Sequence, residues 1–379
     1  MKIKLTATCL FGLEHLLGEE IDALGYKRIE TIDGRVTYLA DLEGIVRSNI
    51  HLRLAERVYI HLAQFKATSF AELFDGTKDI PWQMWIRKND AFPVKGHSIK
   101  SKLFSVPDCQ KIIKKAIAQR LEDEYGISWF EESGIKYQVE FFILKDIATI
   151  MIDTSGAPLH KRGYRAEANA APLRETLAAA LVLTSRPREN VLLWDPFAGS
   201  GTIPIESAMI MNNIAPGINR GFAAEAFSQI PSSMWAEVRE CAKDSICRSP
   251  FVCYASDIDD TSLKIAAANA ARAGVSNTVR IFKQDARSIK KPSDIRGTIV
   301  TNPPYGERLM QKDEVDVLYR EIGQTFRALS PWQIYVLTSH QGFERLYGRR
   351  ADKVRKLYNG MIPCYLYQYF KGEKHLLKK

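Results

Sequence analysis

The chain has 379 residues, 46% of them apolar, with a formal net charge of +9 and a pI of about 9.1. That length predicts two or three domains with real cores, and the basic excess favours a polyanionic partner. No run of about 18 apolar residues appears, which predicts no membrane span and no membrane partner.

The start, Met1-Lys2-Ile3-Lys4-Leu5-Thr6, lacks the apolar stretch of a secretory signal. Six cysteines stand singly. Cys241, Cys247 and Cys253 are evenly spaced but have neither a C-x-x-C pair nor a histidine beside them. No metal is therefore expected, and the thiols read as free in a reducing cytoplasm.

Taken in order, Lys2–Cys9 reads as a strand and Leu13–Leu24 as a helix stopped by Gly25. Arg35–Leu39 is a strand after the turn Asp33-Gly34, Leu42–Leu54 a helix and Val58–Phe65 a strand. A small α+β unit fits these elements. A helix then starts at Phe70, Ala91–Ile99 is a strand, Val106–Leu121 an amphipathic helix, and Tyr137–Leu144 with Ala148–Asp153 a hairpin. From Lys95 to Arg120 seven basic residues (Lys95, Lys100, Lys102, Lys111, Lys114, Lys115, Arg120) face one acidic residue, Asp108. A solvated helix face would give the same letters. Here the charges flank a Ser-containing segment, Ser98 to Ser105, which suits phosphate contact.

The string His97-Ser98-Ile99-Lys100-Ser101-Lys102-Leu103 followed by the helix Gln110–Leu121 resembles a THUMP domain, an RNA-binding module. The resemblance implies a ferredoxin-like piece before it, over residues 1–60, with the THUMP domain over 61–155.

Ser155-Gly156-Ala157-Pro158 breaks the pattern, and residues 156–171 read as a linker. Within it, His160-Lys161-Arg162-Gly163-Tyr164-Arg165 is either a solvated strap or a stretch where Arg162 and Arg165 touch RNA. Residues 172–379 read as a doubly wound α/β domain, opened by a helix at Pro172. Val191–Trp194 is a strand, Asp195-Pro196-Phe197-Ala198-Gly199-Ser200-Gly201-Thr202 a turn, and Ile203–Met211 a helix. This is the context a nucleotide-type pocket requires. Gly199 and Gly201 permit φ > 0 and close approach, the turn amides can receive a carboxylate, and Asp195 can accept from an ammonium. Residues 212–250 look inserted, with a helix over Ser233–Ser245.

Phe251–Ser256 is the next strand. It ends at Asp257, a candidate for both ribose hydroxyls, with Asp259 or Asp260 capping the helix Thr261–Ala273. Val279–Phe282 ends at Gln284-Asp285-Ala286, where a carboxylate could accept from an adenine amine and the Ala286 amide could donate.

The apolar run Gly297-Thr298-Ile299-Val300 leads into Thr301-Asn302-Pro303-Pro304-Tyr305-Gly306. Two prolines stiffen this loop, so the Asn302 amide oxygen and the Pro303 carbonyl are held as two acceptors beside the Tyr305 ring. That set suits an exocyclic amine on a planar base. The bland alternative is a proline turn closing a strand. A helix over Glu314–Leu329, a strand over Ile334–Leu337, a helix over Gly342–Tyr347 and a hairpin turning at Asn359-Gly360 complete the domain. The tail, 371–379, reads as basic and frayed.

The pairing of the Asp195–Thr202 string with Asn302-Pro303-Pro304-Tyr305 resembles S-adenosylmethionine-dependent RNA methyltransferases that modify guanine N2. With the THUMP-like half, the strings His160–Arg165 and Asn213-Ile214-Ala215-Pro216-Gly217 make the whole similar to the bacterial 23S ribosomal RNA guanine-N2-methyltransferase family. The resemblance implies a Rossmann-like class I methyltransferase domain, with a seven-stranded sheet ended by an antiparallel hairpin. It implies S-adenosylmethionine on Asp195, Phe197, Gly199, Gly201, Thr202, Asp257, Ile258, Asp285, Ala286 and Asn302, with S-adenosylhomocysteine as product. It further implies a target base on Asn302, Pro303 and Tyr305, RNA on Lys100, Lys102, Lys111, Lys114, Lys115, Arg162 and Arg165, and guanine 2445 of 23S RNA as the family's target. Some members carry a second methyltransferase domain behind this one, so a single modification is expected here. The rival readings are a transfer RNA guanine-N2-methyltransferase, methylation of adenine N6 in DNA or of a protein glutamine, and a non-catalytic RNA-binding or ribosome-assembly factor.

Overall fold

The computed structural model describes residues 2–165, 173–292, 295–305 and 312–370. Gly306, linker residues 166–171, Pro172 and the tail 371–379 lie outside the described residues. The chain divides into two compact units. One comprises Met1–Cys9, Leu17–Leu159 and Gly221–Glu240, the other Leu10–Leu16, His160–Arg220 and Cys241–Lys379. Among the described residues no helix is long and apolar enough to cross a membrane, and all six cysteines are free.

In chain order the first elements are β1 (Ile3–Thr8), α1 (Glu14–Ala23), β2 (Lys27–Ile32), β3 (Arg35–Ala40), α2 (Leu42–His51) and β4 (Arg57–Lys66). Then come α3 (Phe70–Lys78), β5 (Val94–Ile99), α4 (Val106–Tyr125), β6 (Val139–Leu144) and β7 (Ile147–Asp153). Their strands form one sheet in the order β2-β3-β1-β4-β7-β6-β5. β4 lies antiparallel to β1 on one side and to β7 on the other. The ferredoxin-like and THUMP pieces therefore share a sheet, and residue 60 falls inside its shared strand.

β2 is absent from the sequence reading. Its residues, KRIETI, leave mostly exposed side chains on an edge strand, so no apolar alternation marks it. α4 carries the buried stripe Cys109, Ile113, Ala116, Ile117 and Leu121, with a proline in its first turn and Gly126 at φ +63° as its stop.

The inserted stretch is partly accounted for by the fold. Residues Gly221–Glu240 belong to the first unit. There Phe227 stacks on Tyr137 with ring centroids 4.4 Å apart, and the Gln229 amide donates to the carbonyls of Met84 and Trp85 at 2.9 and 2.8 Å.

The second unit's elements are α5 (Glu175–Ser185), β8 (Leu192–Asp195), α6 (Thr202–Met211), α7 (Ser232–Asp244, which begins in the first unit), β9 (Cys253–Asp257), α8 (Asp260–Arg272), β10 (Val279–Lys283) and β11 (Gly297–Thr301). They end with α9 (Lys312–Ala328), β12 (Gln333–Thr338), α10 (Phe343–Tyr347), β13 (Lys353–Asn359) and β14 (Ile362–Tyr369). The sheet order is β10-β9-β8-β11-β12-β14-β13. β8 to β12 are parallel, and β14 enters antiparallel between β12 and β13. This is the Rossmann-like arrangement with a terminal hairpin that the sequence reading expects. Every residue of β8 and of β11 is buried, as helix-covered parallel strands require. From β8 the chain proceeds to one side and from β11 to the other, so their carboxyl ends flank the topological switch point, where open α/β sheets bind ligands.

Candidate active site

Asp195 closes β8 and Thr301 closes β11. The Thr301 hydroxyl donates to Asp195 Oδ1 at 2.6 Å, and the Phe197 amide donates to the same oxygen at 3.1 Å. Both bonds use Oδ1, and no described residue donates to Oδ2. Asp195 is 2% exposed. Burial raises its pKa to about 7 against the pull of those two donors, and Asp257 adds to the rise. The two sequence motifs, about a hundred residues apart, are thus joined by one hydrogen bond at the switch point.

Both glycines take the positive φ expected of them. Gly199 sits at φ +51° and a Cβ there would meet nothing within 4 Å, so the loop is open on that side. Gly201 caps α6 at φ +83°, and a Cβ would press on the Ala266 methyl at 3.0 Å. The Gly199 amide is already engaged by Asp257 Oδ2 at 2.9 Å, while Asp257 Oδ1 accepts from the Asp259 amide at 3.1 Å. Each Asp257 oxygen keeps acceptor capacity for a hydroxyl. Of the two capping candidates, Asp259 is the N-cap of α8, accepting from the amides of Thr261 and Ser262. Ile258 is 62% exposed beside Asp257, an apolar surface for a flat ring; Phe197 is half-buried, Thr202 and Ala286 buried.

Asp285 departs from expectation. Its carboxylate takes a bidentate grip on the Arg287 guanidinium, with Nη2 at 2.6 Å, and also accepts the Arg287 amide at 2.8 Å. These bonds to Arg287 hold its pKa below the usual range. The carboxylate read as a partner for an adenine amine is therefore saturated by a cation two residues away.

On the other side of the switch point, Asn302 is half-buried, and its Oδ1 is sealed from water without a hydrogen-bond partner among the described residues. Pro303 is buried. The Pro304 carbonyl accepts from the Tyr319 hydroxyl at 2.8 Å, which also lies 2.8 Å from Thr338 Oγ1. Tyr319 reaches it because α9 presents Val315, Leu318, Tyr319, Ile322 and Phe326 as one buried face. Tyr305 accepts from Asn359 Nδ2 at 3.0 Å, and burial raises its pKa. No motif marks Tyr319 in the sequence, and Asn359 stands out there only as a turn residue, whereas it ends β13 and the turn is Gly360-Met361.

The basic candidates separate into two groups. Lys100, Lys102, Lys111 and Lys115 are exposed. Lys114 is tied to Glu132 and lies 5.1 Å over the Phe92 ring. Arg162 and Arg165 correct the strap reading. Arg162 is 3% exposed, with its Nε 3.5 Å from Glu206, and the Tyr164 hydroxyl donates to the same carboxylate at 3.2 Å. Arg165 donates to Thr202 Oγ1 at 2.6 Å and lies 3.5 Å from Glu175. These guanidinium groups brace α6, whose first residue is Thr202, and do not offer themselves to a phosphate backbone. A lone Glu206 in the apolar helix TIPIESAMIM is the available signal, since a buried carboxylate calls for a cation.

Residues 162–368 match the family described as RMKL-like, methyltransferase domain; residues 4–59 match an RlmL ferredoxin-like domain and 67–153 a THUMP domain. The chain is 44% identical over 381 residues to YpsC, a candidate RNA methyltransferase of Bacillus subtilis (strain 168), covering 100% of this chain and 98% of that one. It is 33% identical over 368 residues to the ribosomal RNA large subunit methyltransferase K/L of Psychromonas ingrahamii, covering 94% of this chain and 49% of that protein. It thus spans about half the length of such K/L relatives. The solved structure of SMU.472, a candidate methyltransferase complexed with SAH, superposes with a TM-score of 0.91 at 38% identity, over 97% of this chain and 98% of that one. This chain belongs to the RMKL-like methyltransferase family, and S-adenosylmethionine is its cofactor.

Proposed function

We propose that this member of the RMKL-like methyltransferases methylates the exocyclic N2 amine of a guanine in RNA, with 23S ribosomal RNA as substrate and the family's guanine 2445 as the position. The single observation that carries the reading is Asn302 Oδ1. It is a buried acceptor without a described partner, at the end of the strand that the Thr301–Asp195 bond ties to the glycine loop.

S-adenosylmethionine, when bound, supplies a methyl group on a positively charged sulfur. Asp195 Oδ2 suits its ammonium, Asp257 its ribose hydroxyls, and the exposed Ile258 face with Ala286 its adenine. A guanine amine is a weak nucleophile because its lone pair is delocalised into the ring. Asn302 Oδ1 and the Pro303 carbonyl would accept its two N–H bonds, favour a pyramidal nitrogen whose lone pair is localised toward the methyl, and stabilise the positive charge that grows on nitrogen. Tyr305 would stack on a base turned out of its helix. No strong base is required, because the N–H becomes acidic once nitrogen is alkylated. The exposed Lys100, Lys102, Lys111 and Lys115 on the THUMP half suit the phosphate backbone.

The test is mass mapping of methylated guanosines in ribosomal and transfer RNA from a strain lacking the gene and from the same strain complemented. One N2-methylguanosine should vanish from 23S RNA and return with the gene. Loss confined to transfer RNA would move the substrate there, and unchanged N2-methylguanosine in every RNA would refute the reading.

A further inference from the structure

The ring beside the proposed transfer site is held from the far end of the chain. Asn359 is the last residue of β13 and pairs in register with Ile362 of β14 across the two-residue turn Gly360-Met361. Gly360 takes φ +64° there, so the backbone of Asn359 is fixed by the ladder and the tight turn together. From that position its amide donates to the Tyr305 hydroxyl at 3.0 Å. Cys364 Sγ, on β14, lies 3.6 Å from the same hydroxyl. On its other flank the loop is held by Tyr319 from α9 through the Pro304 carbonyl.

We propose that Asn359 is a positioning residue for methyl transfer: by holding the Tyr305 hydroxyl it sets the position of the ring on which the target base stacks. This rests on the functional reading of Tyr305 given above. A tyrosine ring keeps two side-chain torsions, and an anchor on the hydroxyl, the point farthest from the backbone, fixes the direction of its long axis and so where the ring lies. Stacking falls off as two ring planes lose their offset-parallel arrangement, and a misplacement of about 1 Å at a reacting centre can cost on the order of a hundredfold in rate. A phenylalanine would stack equally well but could not be tethered, so the hydroxyl of Tyr305 acquires a reason. The tether starts from a strand end, the kind of rigid element that holds a site in geometry. Its neighbour Met361 is 94% exposed, so the turn is not closing a core that a substitution at Asn359 would open.

The test is a double-mutant cycle in single turnover, with radiolabelled S-adenosylmethionine and total ribosomal RNA from a strain lacking the gene. Asn359→Leu removes the donor at similar volume and Tyr305→Phe removes the acceptor. Each should slow transfer about tenfold, and the double variant should be no slower than either single one. Asn359→Asp, which can accept the phenol proton and so rebuild the bond in reverse, should recover most of the rate. Binding of S-adenosylhomocysteine by calorimetry should stay the same in all four proteins. A role confined to the turn predicts otherwise: Asn359→Leu would slow the Tyr305→Phe background by a further tenfold, and Asn359→Asp would rescue nothing. Additive losses, or a wild-type rate for Asn359→Leu, overturn the proposal alone. A wild-type protein that labels no RNA overturns the functional reading, and the proposal falls with it.

Discussion

Asp195→Asn should stabilise the free protein and abolish cofactor binding. Asp195 Oδ1 receives both intramolecular bonds, from Thr301 and from the Phe197 amide. An asparagine keeps that oxygen and replaces only Oδ2 by an amide nitrogen. What disappears is a buried charge. Burial lifts the Asp195 pKa from 3.8 to about 7. A carboxylate with a raised folded-state pKa gives stability that is intact below its unfolded pKa and is lost as pH rises to the folded one. At about 1.4 kcal/mol per unit, the loss reaches roughly 4 kcal/mol by pH 8. The substitution should return most of that at pH 8 and only about two fifths of it at pH 5, since near pH 5 most of the loss has yet to accrue. Other carboxylates raised by burial, such as Asp153 and Glu175, act in both proteins and cancel in the difference. The assay is urea unfolding of cofactor-free wild type and variant at the two pH values, alongside calorimetry with S-adenosylmethionine. Wild-type affinity should fall about tenfold per pH unit below 7, and the variant should bind negligibly at any pH. A stability difference that is the same at pH 5 and pH 8, or a variant that binds normally, would refute the argument.

Asn302→Ala should slow single-turnover transfer at saturating S-adenosylmethionine by about a hundredfold or more, as deleting one oxyanion donor does. Arg162→Ala should destabilise the protein by about 3–5 kcal/mol, because it takes a cation from the buried Glu206; urea unfolding reads this, and the salt dependence of RNA binding should not change. Replacing Lys100, Lys102, Lys111 and Lys115 together by alanine should do the opposite. Filter binding to 23S RNA should weaken and its salt slope become shallower by up to about 0.7–0.9 for each phosphate no longer neutralised, with the unfolding midpoint unmoved.

What the sequence discloses here is mostly local. Gly199 and Gly201 stand out because φ > 0 excludes nearly every other residue, and the strand, turn and helix around them are contiguous. Asn302-Pro303-Pro304-Tyr305 stands out because two prolines leave the loop few conformations. What stays hidden depends on distant partners. An arginine is the same letter whether it meets a phosphate or a buried carboxylate, so the sequence points Arg162 and Arg165 at RNA although both brace α6. Asp285 looks free in sequence because Arg287, two residues on, carries no mark of its orientation. β2 is a charged edge strand with no alternation to detect. That β4 serves both halves of the first sheet follows from its antiparallel pairing with β7, some ninety residues downstream in register, which no local pattern records. Tyr319 and Asn359 lie 14 and 54 residues beyond Tyr305 in sequence, and only the folded sheet makes them its supports.

The two residues that face the switch point are also the two least content there. Asp195 carries a charge that its surroundings resist, and Asn302 carries an acceptor that nothing described satisfies. A buried acceptor without a donor costs about 1–3 kcal/mol, and selection for stability alone would remove it. Under the proposed function both costs would be relieved together, by a cofactor whose ammonium meets Asp195 and a base whose amine meets Asn302. Because Thr301 joins one strand end to the other through a 2.6 Å bond, the two groups sit at a fixed separation, and on the proposed reading satisfying both would also bring methyl and amine into register. Strain kept at these positions and supported by Tyr319 and Asn359 from behind is what a site built to orient two partners requires. A proline turn that only ends a strand would have had no reason to leave its asparagine oxygen without a partner among the described residues.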